Sequence, residues 1–518
     1  MALLSRIPRR LGPDIVPRQQ VGRTLFMPAP YGGLNVRDDI TALQPNEARL
    51  LINFKSGDGV AEMRDGLTAH ATGIGSGNVE TLMAFNGVTS NKMIAAANAN
   101  WYDITSAGAG TSLKSGFSED RWQWISYNDR LIAVNGTDAG QIYNGTTVTA
   151  LSGLTGAPDT TGADFINIAV VRDRVWFIEK DAASAWYWAI GAIAGAVTEF
   201  DIGQIAEGGK LMAIGSWSRD GGDGPEDHTV FVMDTGELII YQGDVSTTFT
   251  LVGRYSAPPP IGRRCLFNSG GELLVITELG VLPVSAAVAG VGLDLSRVNP
   301  WGKVAPALAA EAAMHGALDG WSGLEHKGFV YVNVPVAASL ISKQYVLNLR
   351  TGGWSVFEGW NNQSLVSFNS ELYVGALTGG VVPRVDGAND LGTNITLVAR
   401  TAFVSPRGTS AGSNLYTAVR LRLLAEGEVS GSVGVDTDFF ELGVSPAEFS
   451  IVSEIDTTPW GSDWGSPWGS EPKPQADWTG VNDGNGRNVS VKFRAIADAR
   501  SVKWLASDIL YKPGGIRG

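Results

Sequence analysis

The chain has 518 residues, with 52 acidic against 39 basic side chains, a formal net charge of −13 and 44% hydrophobic residues. That balance excludes the basic footprint of a protein that grips nucleic acid by releasing phosphate counterions, and the apolar content excludes disorder along the whole chain. A lone cysteine, Cys265, and four histidines exclude an internal disulfide and a Cys/His zinc cluster. No cofactor is expected, and folding in a reducing compartment is the natural inference. The most apolar segment, residues 281–293, is too short to span a bilayer and is rich in Ala and Gly, so no membrane span is expected.

Residues 1–30 carry Arg6, Arg9, Arg10, Arg18 and Arg23 but no apolar run before a cleavage site, so they do not read as a secretory signal. Pro8, Pro13 and Pro17 interrupt any amphipathic helix. The expectation is an extended basic N-terminal arm that docks on a partner or lies against an acidic surface, with plain disorder as the other reading. Residues 31–78 follow as a turn, a short helix and a strand: Gly32-Gly33 makes the turn, and Gln44-Pro45-Asn46-Glu47 resembles a helix start before Ala48, Leu50 and Leu51.

The pattern Gly32-Gly33-Leu34-Asn35, Arg37-Asp38, Ala48, Leu51, Asn53, Val60, Arg64 and Gly66 resembles the N-terminal segment of tail and DNA-stabilisation proteins of short-tailed bacteriophages. The resemblance covers about a dozen matched positions over residues 31–73.

From residue 79 to 386 one theme recurs: an apolar strand, a turn of Asn, Asp or Gly, a second apolar strand, then an aromatic and a further turn. Examples are Asn128-Asp129 before Leu131-Ile132-Ala133-Val134, and Gly270-Gly271 before Leu273-Leu274-Val275-Ile276. The starts recur at roughly 40 to 55 residues, the period of propeller blades. Sheets of short antiparallel strands cannot bury both faces alone, whereas radial stacking buries each against the next. The expected fold is all-β, a β-propeller of repeated antiparallel blades, and seven such units could close a ring. Two successive β-sandwiches would use the same strands without closure.

A polar linker at residues 386–394 introduces residues 387–518, expected as an additional, smaller C-terminal β-sandwich-like domain. Val489, Val491 and Phe493 alternate with Lys492 and Arg494, as in a strand with one buried face. Its closing residues, Trp504 to Gly515, again resemble the end of the same tail proteins. Between the strands, Trp460, Trp464, Trp468 and Trp478 alternate with Gly, Ser and Pro. Large rings in a segment denied a helix are interface candidates, with packing back onto the sandwich as the other reading. Arg254, Arg263 and Arg264 flank Pro258-Pro259-Pro260, whose extended backbone suits either a projecting loop that meets a partner or a blade connection.

Catalytic constellations are weak. Asp220, Asp223, Glu226 and Asp227 offer hard oxygen ligands on one loop but lack EF-hand spacing, and a solvated hairpin loop is the expectation, so no metal residue is assigned. Asp129, Asp173, Asp234 and Glu272 sit beside turns and could approach a propeller axis, yet turns favour such residues for their own hydrogen bonds. His70, His228, His315 and His326 are scattered, and residues 73–78 lack the ending of a phosphate loop.

No catalytic or cofactor-binding residue is assigned, and a non-enzyme is expected. What the phage resemblance implies is a virion protein of a tail nozzle or packaged-DNA-stabilising ring, assembled in the host bacterial cytoplasm. It further implies a homo-hexameric ring below the head-to-tail adaptor, contacts to that adaptor and to tail fibres, and double-stranded DNA passing through the lumen without sequence-specific binding. The alternatives are a virion-associated propeller enzyme acting on host glycans and a carbohydrate-binding propeller scaffold.

Overall fold

Consecutive residues with positive φ mark the inner hairpins of the repeats: Asn128 (46°) with Asp129 (56°), Arg172 (49°) with Asp173 (55°), and Asn369 (47°) with Ser370 (64°). Two left-handed residues in a row make the turn whose twist matches a β-hairpin. The computed structural model describes residues 22–220, 225–291, 293–338, 340–406, 412–440, 447–452 and 477–514. Those hairpins build seven blades: residues 79–115, 123–150, 165–201, 211–256, 266–283 and 322–358, and a seventh from residues 362–387. Six are separate sheets, whereas the blade of residues 322–358 runs on into the large sheet of the C-terminal domain.

Each inner strand packs against that of the next blade, and Asn362–Phe368 of blade 7 packs against Val79–Asn86 of blade 1, so the ring is closed. The fourth strand of blade 7 is Gly66–Thr72, which pairs antiparallel with Val382–Gly387 and carries the two-residue strand Gly108–Ala109 on its outer edge. The fold is thus an all-β propeller whose first strand in the chain seals its last blade. Blade faces are apolar on both sides: Phe85, Trp101, Phe117, Trp122 and Tyr143 fill the space between blades 1 and 2, and Phe165, Phe177, Trp186 and Trp188 that between blades 2 and 3. Burial on both faces explains why Leu131, Ile132, Ala133 and Val134 form an unbroken apolar run.

The C-terminal domain is built on one long hairpin, Asn414–Thr437 with Val489–Pro513. Bulges at Arg422/Leu423 and Ala425/Gly427 bend it, and its halves fold over each other. Phe493 from one half lies 5.3 Å from Trp504 of the other, with Phe54 6.0 Å from each ring. Val489, Val491 and Phe493 are buried as the alternation predicts, while Arg494 faces solvent.

Three boundaries differ from the sequence expectation. Arg23–Pro28, placed in the arm, is a strand that pairs with the end of the chain, Arg23 opposite Tyr511. The helix expected after Gln44-Pro45 is a turn followed by the strand Glu47–Ile52, which pairs with Ile395–Thr401. Glu47 is not a solvent-facing helix residue: it is buried, accepts from the Gln44 amide at 3.0 Å and meets the Lys303 ammonium at 3.0 Å. Finally, the propeller is not confined to residues 79–386, because its closing strand is Gly66–Thr72.

The block singled out in the sequence is the weld between the two bodies. Gly33 has φ of 82°, and a Cβ there would lie 2.4 Å from the Trp354 amide nitrogen, so only glycine fits against blade 6. Asn53 donates to the Thr396 carbonyl (2.8 Å), and its side-chain oxygen accepts from Arg64 Nε and from the Glu358 amide, both 2.8 Å. Arg64, 1% exposed, also donates to Asp390 Oδ1 (2.8 Å) and to the carbonyls of Asp65 (2.9 Å) and Glu358 (2.6 Å). Its guanidinium lies 5.3 Å from the Trp360 ring centroid.

Candidate functional site

The seven inner strands begin at one end of the propeller, and there the axis holds a cavity of about 290 Å³. Residues from all seven inner strands line it, including Leu82, Gln123, Asn167, Ile214, Leu266, Leu324 and Ser364. Apolar walls come from Leu82, Trp122, Trp124, Ile168, Ile214, Leu266, Leu324 and Leu365, and the polar lining from Thr81, Gln123, Asn167, Arg263, Arg264, Ser322 and Ser364. The two arginines directly precede the inner strand of blade 5, Leu266–Ser269, and are carried to the axis because Ile261 and Cys265 on either side are buried anchors.

Arg264 reaches across to blades 1 and 2. It donates to the carbonyls of Glu80 (3.0 Å) and Trp122 (3.1 Å) and to the Thr81 hydroxyl (2.7 Å). Burial, with Arg121 and Arg263 adding like charge, brings its guanidinium down to about 10. Arg263 donates from Nη1 to the Asn135 carbonyl (2.7 Å), and its own carbonyl accepts from Asn167 Nδ2 (2.8 Å). Its pKa too is lowered by burial and by Arg121. Among the described residues, neither arginine has a carboxylate at ion-pair distance.

Arg121, at the rim, is different. It makes a two-pronged pair with Glu119, 2.8 Å from Nε and 2.8 Å from Nη2, and pairs with Asp319 through Nη1. These contacts raise its pKa and lower that of Glu119. Glu80 stands 3.9 Å from Arg121 Nε, and burial together with the Glu119 charge pushes its carboxyl up to about 7. Asp120, also raised by burial, accepts from the Ala99 amide (2.7 Å) through one oxygen, while its other oxygen and the indole N–H groups of Trp101 and Trp122 are buried without partners.

The structure distributes the sequence candidates differently from the expectation. Arg263 and Arg264 are not on a projecting loop but inside the propeller axis, because the Pro258-Pro259-Pro260 segment is a packed blade connection: Pro258 is buried and the Pro259 carbonyl accepts from the Glu278 amide at 3.0 Å. Arg254 is on the outer strand of blade 4, paired with Glu207 and Glu237 at 2.5 Å each. Trp478 is 41% exposed, with the Arg420 guanidinium 4.8 Å from its ring centroid. Trp460, Trp464 and Trp468 lie outside the described residues, as does the centre of the acidic loop at 221–224.

Three of the turn carboxylates brace segments beyond their own turns. Asp129 accepts from the Val88 amide (2.9 Å), Asp234 from the Lys210 amide (2.8 Å) and Glu272 from the Ser285 amide (3.2 Å). No group of three or more metal-ligating side chains occurs among the described residues, and no described helix is long and apolar enough to cross a membrane. The axial cluster of Glu80, Glu119, Arg121, Arg263 and Arg264 escaped the sequence reading. Its one local signal is the charged run Glu119-Asp120-Arg121 immediately before the apolar Trp122.

No protein-family model matches the sequence, and no curated protein matches it. Solved structures do. The Myceliophteria thermophila Cps50 (Swd1) β-propeller domain is 13% identical, with 62% of this chain and 99% of that chain covered and a TM-score of 0.40. BBS1N, solved in complex with ARL6DN, is 10% identical over 64% of this chain and 100% of its own, with a TM-score of 0.35. YCF48, solved bound to a D1 peptide, is 10% identical over 65% and 97%, with a TM-score of 0.34.

Proposed function

We propose that this chain is a non-enzymatic structural subunit of a short-tailed phage virion, a tail nozzle or packaged-DNA-stabilising protein assembled as a hexameric ring below the head-to-tail adaptor. The observation that carries the reading is where the phage-like block falls. Gly33, Asn53, Arg64 and Gly66 are the residues that weld the propeller to the C-terminal β domain. A resemblance on an architectural joint argues for a shared architecture more strongly than one on scattered surface positions.

On this reading the DNA conduit lies between subunits. The propeller axis of one chain is a 290 Å³ cavity crossed by Arg264, which a duplex cannot enter. Function then rests on steric enclosure and weak electrostatics, and the net charge of −13 suits a wall that lets a polyanion slide. The test is electron microscopy of the chain alone and co-assembled with its adaptor ring. A ring with an open lumen on the tail axis is the expected result. A monomer under both conditions, absent from purified particles, overturns the proposal and favours a ligand-binding propeller scaffold.

A further inference from the structure

We infer that the axial cavity is a binding site for a small monocarboxylate with an apolar body, its oxygens held by Arg263 and its body seated against Leu82, Trp124, Ile168 and Leu324. This inference does not depend on the assembly reading.

Three observations converge. Arg263 and Arg264 bring two positive charges to a cavity whose walls mix polar and apolar side chains, and among the described residues no carboxylate lies at ion-pair distance from either. Both guanidiniums are part-buried and offset only by the longer-range charges of Glu80, Glu119 and Asp319, so an anion that enters the cavity gains from direct contact with Arg263. The two arginines are also not equivalent. Arg264 spends its guanidinium on two carbonyls and a hydroxyl of blades 1 and 2. Arg263 makes one hydrogen bond among the described residues, from Nη1 to the Asn135 carbonyl, which leaves other donors of a residue that lines the cavity available to a ligand.

The surroundings select among anions. Arg121 is already neutralised by Glu119 and Asp319, so the rim offers no further positive charge to a dianion. Leu82, Trp124, Ile168 and Leu324 supply the apolar part of a mixed wall, which gives an apolar body a surface to leave water for. A bidentate guanidinium contact matches a planar carboxylate.

The charged groups around the site are Glu80, Glu119, Asp120, Asp319, Arg121, Arg263 and Arg264. Glu80, whose carboxyl is pushed up to about 7, loses its proton between pH 6 and 8 and adds a negative charge near Arg121 and Arg264. Binding of an anion is therefore tighter at pH 6 than at pH 8.

The experiment is titration of the full chain with benzoate and hexanoate, followed by Trp fluorescence and calorimetry, with inorganic phosphate and hexanol as comparison arms. Saturable binding of both carboxylates, weakened at least tenfold by Arg263→Gln and weakened as pH rises from 6 to 8, is the expected result. Glu80→Gln should abolish that pH dependence while retaining binding, which keeps the inference testable if Arg263→Gln fails to fold. Absence of saturable carboxylate binding overturns the inference. So does phosphate binding as tight as hexanoate, which would mark a site for anions in general, and so does hexanol binding as tight as hexanoate, which would mark an apolar pocket indifferent to the arginines.

Discussion

Replacing Arg64 by Ala should loosen the joint between propeller and β domain more than any surface change. The side chain is fully enclosed while Asp390 is 13% exposed, and the guanidinium supplies donors to Asn53, Asp65, Glu358 and Asp390 at 2.5 to 2.9 Å. Breaking a buried pair by removing one partner costs about 3 to 5 kcal/mol, because the stranded charge keeps its desolvation penalty. At about 1.4 kcal/mol per decade, that corresponds to roughly a hundredfold to several thousandfold faster exchange of the Glu358 amide hydrogen, which bonds to Asn53. Amide exchange is the right assay, since unfolding of two interleaved bodies need not be two-state. The double variant Arg64→Ala/Asp390→Ala should cost clearly less than the sum of the single changes, as it removes the stranded carboxylate. An Arg64→Ala effect below tenfold, or strict additivity in the double variant, refutes the reasoning.

The other expectations are as follows. Glu80 has a folded-state pKa of about 7 against an ordinary 4.5, so its contribution to stability is fully present below about pH 4.5 and is lost as pH rises through 7. Glu80→Gln should therefore gain on the parent protein across that window, by at most about 3 kcal/mol, in denaturant titrations; parallel pH profiles would count against the buried charge. Cys265 is 0% exposed and its thiol is pushed up to about 12 by burial, so a thiol reagent at pH 8 should label it only after denaturation. Immediate labelling of the native protein would contradict its burial. The isolated chain should bind duplex DNA weakly, with a log–log salt slope shallower than about −2, and tight binding with a steep slope would point to a gripping protein. A fragment of residues 64–391 should hold the propeller better than residues 79–386, because only the longer one contains Gly66–Thr72; equal protease resistance would show that closure of blade 7 is dispensable.

The blades were legible because their signals are local. A strand covered on both faces must be apolar at successive positions, and its hairpin must place Asn or Asp where φ is positive, so Asn128-Asp129 followed by Leu131 to Val134 announces itself. What failed were features decided by distant partners. Gln44-Pro45-Asn46-Glu47 has the chemistry of a helix start, yet the pairing with Ile395–Thr401 and the Lys303 ammonium make the following residues a strand. Arg23–Pro28 reads as an arm until Ser507 to Tyr511 supply its edge. Arg263 and Arg264 read in the sequence as flanks of a proline run that is either a projecting loop or a blade connection, and nothing within ten residues of them reveals the Glu80, Thr81 and Asn135 atoms they bond. The candidate site was hidden for that reason: it is assembled at the axis from the starts of strands dispersed over some 280 residues.

The order in which the chain visits its two bodies has a consequence for how the joint must be built. Arg23–Pro28 and Glu47–Ile52 belong to the sheet of the C-terminal domain, Gly66–Thr72 to blade 7, and the chain makes five blades before blade 6 joins the first of these and residues 362–387 complete the second. Neither body can be completed without pairings across more than 300 residues, so loop closure is costly and must be repaid by contacts made late. The residues at the crossing point are therefore those least able to vary: Arg64 joins the first strands to Asp390 at the exit of blade 7, and Asn53 joins them to Thr396 at the start of the β domain. A two-body chain knitted in this way cannot swing its propeller about a loose linker, and a rigid relation between the two is what the proposed ring of copies needs if each is to present the same surfaces to its neighbours.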